Sequence, residues 1–250
     1  MSRFDRALGL ARSLAIYHAI PLRQARMRRL YAGFVTRGDL VLDVGAHAGN
    51  RAKSFAALGC RVVAIEPQPD FARLLRALFG RSSHVTVVEA AVAGAPGRAV
   101  LSVSDRTPTV TTLAEGWRRA RAGDPDFSRV EWNRQIEVET TTLDLLIVRF
   151  GVPAFVKIDV EGSEPAVLAG LTQAVPALSF EYLPRALDHV ETSLARLTTL
   201  GPYRFNWSRG ESYRLASSTW MRGGELLASL RTPEAQRRPG DVYARLGEPL

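Results

Sequence analysis

The chain is poor in the residues that form disulfides and cysteine-based metal sites. Cys60 is the only cysteine among 250 residues, which excludes an intramolecular disulfide and a cysteine-based zinc cluster. No apolar run reaches the length of a membrane span, and the basic N-terminus lacks the continuous apolar core of a signal peptide. We therefore expect a soluble protein of the reducing cytoplasm.

Lysine is also scarce, because Lys53 and Lys157 are the only two in the chain. The net charge of +8 is due to arginines that are dispersed along the sequence. A nucleic-acid surface needs clustered positive charge with aromatic side chains between the charges. We therefore expect no nucleic-acid partner.

The N-terminal residues form a segment of their own in the sequence pattern. Apolar side chains recur at spacings of three and four between residues 3 and 31, and Pro21 interrupts them, which predicts two helices. We divide the chain into an N-terminal helical extension, residues 1–34, and a main domain, residues 35–250. The extension either covers the main domain or presents its apolar, arginine-flanked face to a membrane or a partner, and a homodimer would use the same face.

Strands and helices alternate from Leu40 onward, which is typical of an α/β fold. Apolar runs predict strands at Leu40–Val44, Arg61–Glu66 and Val85–Glu89, with helical segments between them. This order favours a mostly parallel sheet with helices on both faces and ligands at the carboxyl ends of the strands. The segments Gly97–Val103 and Gln135–Thr140 alternate like an inserted strand pair. The long loop between them either covers the substrate, with Trp117, Phe127 and Trp132 stacking on it, or is a surface insert.

A turn bracketed by two glycines follows the first predicted strand. A dinucleotide-binding fingerprint has a glycine at the middle position of this turn, where this chain has His47. A cofactor without a pyrophosphate therefore fits better, held by backbone N–H groups at the start of a helix for which Asn50 is a plausible cap. We expect the cofactor loop to consist of Asp43, Gly45, Ala46, His47, Gly49 and Asn50.

Acidic residues close the next two predicted strands. Glu66 stands where the acid of a βαβ unit accepts hydrogen bonds from ribose hydroxyls, and Pro67 follows it. At the third strand end, Glu89 offers a polar contact and Ala90 leaves room for a flat adenine ring. An ordinary solvated acid is the alternative for Glu89.

Four ordered segments resemble a known family: D-V-G-A-H-A-G, A-I-E-P, T-T-L-D-L and F-V-K-I-D-V-E-G-S-E. Together they are similar to the FkbM-type S-adenosylmethionine-dependent methyltransferases, over residues 35–182. The resemblance implies a Rossmann-like class I methyltransferase fold with a mostly parallel seven-stranded sheet and S-adenosylmethionine as the cofactor. In such a fold, the segments 203–207 and 241–246 would form the closing antiparallel hairpin.

The strand that ends at Asp159 carries the residues expected to do chemistry. Methyl transfer from a sulfonium requires the protein to align the acceptor and remove its proton, and a hydroxyl acceptor needs a base or a metal. We predict Asp159 as the leading base or metal ligand, and Glu161 as a partner that binds acceptor hydroxyls or shares a Mg²⁺ ion. Glu181, at the end of a later strand, is the second candidate for acceptor binding or base. Alternatively, Asp159 and Glu161 only position the cofactor or brace the loop.

These observations predict an S-adenosylmethionine-dependent methyltransferase. O-methylation is implied by the family resemblance more than by the residues, and the expected acceptor is a sugar, glycan, glycolipid or other small secondary metabolite. Three alternatives stay open: an N-methyltransferase acting on a small amine, an NAD-binding oxidoreductase, and a non-catalytic binding protein of the same fold.

Overall fold

The computed structural model describes residues 23–121 and 130–247 of the chain. The first predicted N-terminal helix and Phe127 lie outside these residues. The described helices are α1 (Arg23–Tyr31), α2 (Asn50–Ala57), α3 (Pro69–Phe79), α4 (Glu115–Arg121), α5 (Leu143–Phe150), α6 (Glu164–Ala169), α7 (Leu187–Leu200) and α8 (Gly223–Leu230). The strands are β1 (Leu40–Val44), β2 (Arg61–Ile65), β3 (Val85–Val88), β4 (Ala91–Val92), β5 (Gly97–Val103), β6 (Arg134–Thr141), β7 (Phe155–Ile158), β8 (Ala177–Tyr182), β9 (Tyr203–Arg209) and β10 (Gly240–Leu246).

Seven strands form one sheet in the order β3-β2-β1-β7-β8-β10-β9. The five strands from β3 to β8 pair in parallel, and β10 is antiparallel to both of its neighbours. This confirms the predicted mostly parallel seven-stranded sheet and its closing hairpin. The inserted pair, β5 and β6, is also confirmed, and the short parallel strand β4 extends it to a second, three-stranded sheet.

The alternation of side chains along each central strand supplies both faces of the large sheet. In β1, Leu40, Leu42 and Val44 join a hydrophobic core together with α5, α6, α7 and α8. Val41 points to the other face and joins a second core with α1, α2 and α3. The strands are thus buried on both sides, which leaves their carboxyl ends as the accessible edge for a ligand.

Helix α1 is packed onto the main domain. Met27 and Tyr31 are fully buried, and the Tyr31 ring lies 4.2 Å from the Phe55 ring of α2, centroid to centroid. The apolar face of this helix therefore covers the domain, as one of the two interpretations predicted, while the division of the chain at residue 34 stays a prediction. None of the helices in the described part of the chain is both long and apolar enough to span a bilayer.

The helix after the glycine turn has a different N-cap from the predicted one. The helix after the glycine turn begins at Asn50 itself, and its N-cap is Gly49, with φ 76°. The expectation that Asn50 caps this helix is therefore wrong, because the left-handed glycine makes the turn into the helix one residue earlier. At α5 the cap is Thr142, whose hydroxyl accepts a hydrogen bond from the Leu145 N–H at 3.2 Å.

Candidate active site

A cleft lies at the carboxyl ends of β1, β2 and β7, the edge at which the sequence pattern predicts a ligand site. Its volume is about 760 Å³, including the open solvent at its mouth. The first wall is the loop after β1, the second follows β2, and the third is the turn after β7. A fourth wall comes from the inserted segment between β5 and α4. Of the predicted site residues, these line the cleft: Gly45, Ala46, His47, Asn50, Glu66, Pro67, Ala90, Asp159 and Glu161.

Gly45 joins two of these walls. Its φ is 78°, and a Cβ at this position would collide with the backbone carbonyl oxygen of Asp159. The loop after β1 therefore passes directly against the backbone of the turn after β7, as only glycine permits. The cofactor loop and the predicted catalytic turn form one continuous surface.

Glu66 is tied to the cofactor loop by backbone hydrogen bonds. Its two carboxylate oxygens accept the N–H of His47 at 2.9 Å and the N–H of Gln68 at 2.8 Å. Burial raises the pKa of Glu66 to about 7, although these two donors oppose the rise. Glu66 thus belongs to the second wall of the cleft, and a backbone hydrogen bond to each carboxylate oxygen fixes its side chain.

His47 occupies the place of the missing glycine and also has a left-handed backbone, with φ 45°. Its ring stacks on the Phe71 ring of α3 at 4.0 Å between centroids. Burial lowers the pKa of His47 to about 4, although Asp159 opposes the fall. The imidazole is therefore neutral at physiological pH and forms part of the wall rather than a cationic group.

Four buried polar atoms of the cleft wall lack partners among the described residues. They are the amide nitrogen Nδ2 of Asn50, the guanidinium Nε of Arg51 and the hydroxyl oxygens of Thr111 and Ser163. Buried polar groups are normally hydrogen-bonded, so atoms of this kind indicate a place for a ligand with polar groups of its own. Together with the left-handed glycine at Gly45 and the fixed carboxylate of Glu66, they fit a nucleoside cofactor that has hydroxyl, amine and carboxylate groups.

Four predicted site residues do not line this cleft. Asp43 is buried within β1, where burial raises its pKa to about 6 despite the nearby cations Arg51 and Lys157. Gly49 packs toward α3. Glu89 pairs with Arg76 at 2.6 Å on the outside of the cleft, so its predicted contact with adenine stays untested. Glu181 belongs to the acid cluster described next.

The three carboxylates predicted for catalysis come together. One oxygen each from Asp159, Glu161 and Glu181 lies within 4.8 Å of the others, and all three side chains are half-buried. They come from the end of β7, the turn after it and the end of β8. The adjacent parallel strands thus bring residues 20 positions apart in the sequence to one place, as the strand-end argument predicts. Carboxylate oxygens in this arrangement can hold a Mg²⁺ ion.

Asp159 is held in its ionised form. The Nη1 atom of Arg51 is 3.1 Å from its carboxylate and the Nζ atom of Lys157 is 3.8 Å from it. Burial opposes ionisation, but the two cations outweigh it and keep the pKa of Asp159 below its usual value. Lys157, fully buried, also donates to Asp241 at 2.9 Å and to the Ile158 carbonyl at 3.0 Å.

Arg51 and Asp241 are the parts of this charge network that sequence reasoning missed. A lysine within an apolar strand is the available signal, since a buried ammonium group requires a carboxylate partner. That partner lies 84 residues away in the chain, so the sequence gives no local indication of it. Arg51 stands in the first turn of α2, where a cation is otherwise unfavourable.

Glu161 and Glu181 have the opposite electrostatic environment to Asp159. Burial raises the pKa of both groups well above the usual value for glutamate, and repulsion from neighbouring carboxylates raises it further. The same pair of cations acts on Glu161 too weakly to reverse the rise. The cluster therefore contains one firmly ionised carboxylate and two that hold a proton to higher pH.

The turn that contains Glu161 is fixed from within by Glu164, the first residue of α6. One oxygen of Glu164 accepts the N–H groups of Val160 and Gly162, each at 3.3 Å. Burial raises the pKa of Glu164 to about 7, and Asp159 adds to the rise. Ser163 stands at the N-cap position of α6, but its hydroxyl does not cap the helix.

The inserted segment lies over this turn. Pro108, Thr109 and Leu113 line the cleft, and the buried Trp117 ring packs where a Cβ of Gly162 would stand. Trp117 and Trp132 meet edge to face at 6.4 Å between ring centroids. The described part of the insert therefore does close one side of the cleft, but Trp117 packs against the protein backbone and offers no free face for stacking on a sugar.

The match to a family model covers most of the main domain. The methyltransferase FkbM domain matches residues 43–198, which include the cofactor loop, Glu66, the acid cluster and the inserted sheet. No curated protein matches the sequence.

Solved structures of similar chain path include three methyltransferase-fold proteins. The precorrin-6y C5,15-methyltransferase of Geobacter metallireducens is 12% identical, with a TM-score of 0.46, over 90% of this chain and 87% of that one. A SAM-dependent O-methyltransferase of Thermotoga maritima is 12% identical, with a TM-score of 0.44, over 92% and 66%. Aeropyrum pernix fibrillarin, solved with natively bound S-adenosyl-L-methionine, is 11% identical, with a TM-score of 0.43, over 84% and 68%. Similarities of this level concern the chain path alone.

Proposed function

This chain belongs to the FkbM family of S-adenosylmethionine-dependent methyltransferases, and on that premise we propose that it methylates a hydroxyl oxygen. The proposed acceptor is a sugar, glycan, glycolipid or similar small molecule. The observation that carries this proposal is the cluster of Asp159, Glu161 and Glu181 beside the cofactor loop. Neutral hydroxyls are poor nucleophiles, so an O-methyltransferase gains from a carboxylate that removes the proton.

The cofactor half of the site is assigned to the loop after β1 and the end of β2. When bound, S-adenosylmethionine supplies an electrophilic methyl group on a sulfonium sulfur. Glu66 accepts hydrogen bonds from ribose hydroxyls, and Asn50 and Ser163 offer buried polar atoms that lack partners within the described parts of the chain. Ala90 and Pro67 give an apolar surface for the adenine ring.

In the acceptor half, Glu161 removes the acceptor proton and Asp159 orients the hydroxyl. Burial and neighbouring carboxylates raise the pKa of Glu161, which makes it a stronger base than an exposed glutamate once it is ionised. Asp159 is the opposite case, because Arg51 and Lys157 keep it ionised and weakly basic. The competing assignment, made from the sequence, gives the base to Asp159. Glu181 binds a second hydroxyl of the acceptor.

A divalent ion is the second form of the same proposal. Asp159, Glu161 and Glu181 offer three oxygen ligands of the kind that Mg²⁺ prefers, and a bound ion would lower the pKa of an acceptor hydroxyl directly. If this form holds, EDTA abolishes turnover and added Mg²⁺ restores it. If turnover is unchanged after dialysis against EDTA, only the form of the proposal without a metal, in which a carboxylate acts as the base, remains.

The test is transfer of a radiolabelled methyl group from S-adenosylmethionine into a panel of sugars, glycolipids and small amines. We expect label in a hydroxyl-bearing acceptor. Label only in the amines would replace the proposal by N-methylation. If no class of acceptor is labelled but S-adenosylhomocysteine binds in a calorimetric titration, the result favours a non-catalytic binding protein. If NAD binds tightly instead, the result favours an oxidoreductase.

Membrane contact and self-association are separate proposals based on the arginine-rich N-terminal residues. A glycolipid acceptor would bring the protein to a membrane surface, where such a segment adds electrostatic attraction to anionic lipids. Co-sedimentation of the full chain with anionic vesicles tests the first proposal. Sedimentation velocity of the full chain tests the homodimer.

A further inference from the structure

The backbone of the turn after β7 is unusual at the residue that we propose as the base. Glu161 has φ 52°, and the next residue, Gly162, has φ 89°. Glycine adopts this left-handed conformation freely, but a glutamate does so only where its surroundings hold it there. Glu164 secures the N–H groups on either side of Glu161, at Val160 and Gly162, so the carbonyl of Glu161 needs a support of its own.

Thr112 of the inserted segment supplies that support. Its hydroxyl Oγ1 donates to the backbone carbonyl oxygen of Glu161 at 2.7 Å. The same oxygen accepts the Ala114 N–H at 3.0 Å, which leaves the single hydroxyl proton for Glu161. Thr112 is buried, and its own backbone pairs with Ser102 of β5 through two hydrogen bonds of 2.9 and 3.1 Å. The donor is thus fixed to the small inserted sheet.

We infer that Thr112 is a positioning residue for Glu161. Its hydrogen bond holds the left-handed turn in the conformation that places the Glu161 carboxylate within 4.8 Å of Asp159 and Glu181. Without the hydroxyl, Glu161 relaxes toward an ordinary backbone conformation and its carboxylate leaves the cluster. The inserted sheet therefore does more than cover the cleft, because it sets the geometry of the acceptor half through one side-chain hydrogen bond. The catalytic part of this inference rests on the proposed function.

Three variants test the hydrogen bond itself by crystallography. Thr112→Val keeps the shape of the side chain and removes the hydroxyl, while Thr112→Ser keeps the hydroxyl. Thr140→Val is the matched control, because Thr140 also donates its hydroxyl to a backbone carbonyl, that of Ala95 at 3.1 Å, within the same inserted sheet but outside the cleft lining. We expect Glu161 to lose its positive φ only in Thr112→Val. If Glu161 keeps its positive φ in Thr112→Val, the inference is overturned. Thr112→Ala replaces Thr112→Val in this test if the valine variant does not fold.

A double-mutant cycle tests the consequence for turnover, using the panel sugar that the wild-type protein methylates fastest. We expect Thr112→Val to lower kcat roughly 10- to 100-fold with little change in KM, and Thr112→Ser to restore it. In a Glu161→Gln background, Thr112→Val should have no further effect, because the group that it positions is gone. Additive losses would contradict a role through Glu161. If the wild-type protein methylates no panel compound, the proposed function fails, while the crystal structures still decide whether Thr112 holds the turn.

Discussion

The two halves of the cleft are built on different principles. The cofactor half comes mainly from residues 45–90, with Ser163 added from the turn after β7, and it relies on backbone groups: the left-handed Gly45 and the N–H groups that fix Glu66. The acceptor half collects side chains from five places in the chain: the charged Arg51 of α2, Asp159 after β7, Glu181 of β8 and Asp241 of β10, and the uncharged Thr112 of the insert. Backbone geometry can hold a common cofactor, whereas a specific reaction depends on a balance of charges.

A substitution at the contact between the halves should damage both. Gly45→Ala adds a Cβ that collides with the Asp159 carbonyl oxygen, at a φ of 78° that alanine adopts with difficulty. We expect a loss of about 3 kcal/mol or more in the free energy of unfolding and no detectable binding of S-adenosylhomocysteine. Urea unfolding and calorimetry measure these two quantities. Gly224→Ala is the control, since a Cβ there meets nothing within 4 Å. If the two variants have the same stability and the same affinity for S-adenosylhomocysteine, the close contact between Gly45 and the Asp159 backbone is refuted.

Substitutions within the acid cluster should separate the halves most clearly. Glu161→Gln and Asp159→Asn are each expected to lower kcat by roughly 10²- to 10⁴-fold, because they remove the base or the group that orients the hydroxyl. Affinity for S-adenosylhomocysteine should stay within a few-fold, since the Gly45 contact involves only the Asp159 backbone.

The pH dependence of kcat distinguishes the two carboxylates. A base must be ionised, so the rate rises with pH through the pKa of the base. If Glu161 is the base, burial and the neighbouring acids place that rise well above the usual pKa of glutamate. A rate that stays flat down to pH 5 would instead identify Asp159, whose pKa Arg51 and Lys157 hold low despite its burial.

Loss of Glu66 should affect the cofactor half alone. Glu66→Ala removes the proposed ribose acceptor and leaves the N–H groups of His47 and Gln68 without their partner. We expect affinity for S-adenosylhomocysteine to fall by about 1 to 3 kcal/mol, while kcat at saturating S-adenosylmethionine changes little. Calorimetry and steady-state kinetics measure the two effects, and unchanged affinity would remove Glu66 from the ribose site.

The smallest effect expected is a pH dependence of cofactor binding. The ionised carboxylate of Glu66 accepts hydrogen bonds from hydroxyls, and its pKa is raised to about 7 by burial. Affinity for S-adenosylhomocysteine should therefore be constant above pH 7 and fall below it, by at most about tenfold per pH unit. Glu66→Gln should show a flat profile between pH 6 and 8, and an equally steep profile in that variant would assign the titration to another group.

Much of the fold follows from local patterns in the sequence. The alternation of apolar and helical segments from Leu40 predicts the parallel sheet, and the strand-end rule places Glu66, Asp159 and Glu181 at one edge. Single-sequence patterns cannot predict the cap at Gly49, because Asn50 is the better cap by residue type. They also miss β4, which has only two residues and forms through its pairing with β6.

The parallel sheet, the glycine-bracketed loop and the set of strand-end acids can be predicted from the sequence, because they depend on residue type, spacing and backbone conformation. The differences between the acids arise from the folded arrangement. Asp159 is ionised because Arg51 and Lys157 reach it, whereas Glu161 and Glu181 are near other carboxylates and bind protons more strongly. The reason is physical: a pKa depends on burial and on charges within a few ångströms. Lys157 is close to Asp159 in the sequence, but Arg51 and Glu181 reach the cluster from distant parts of the chain.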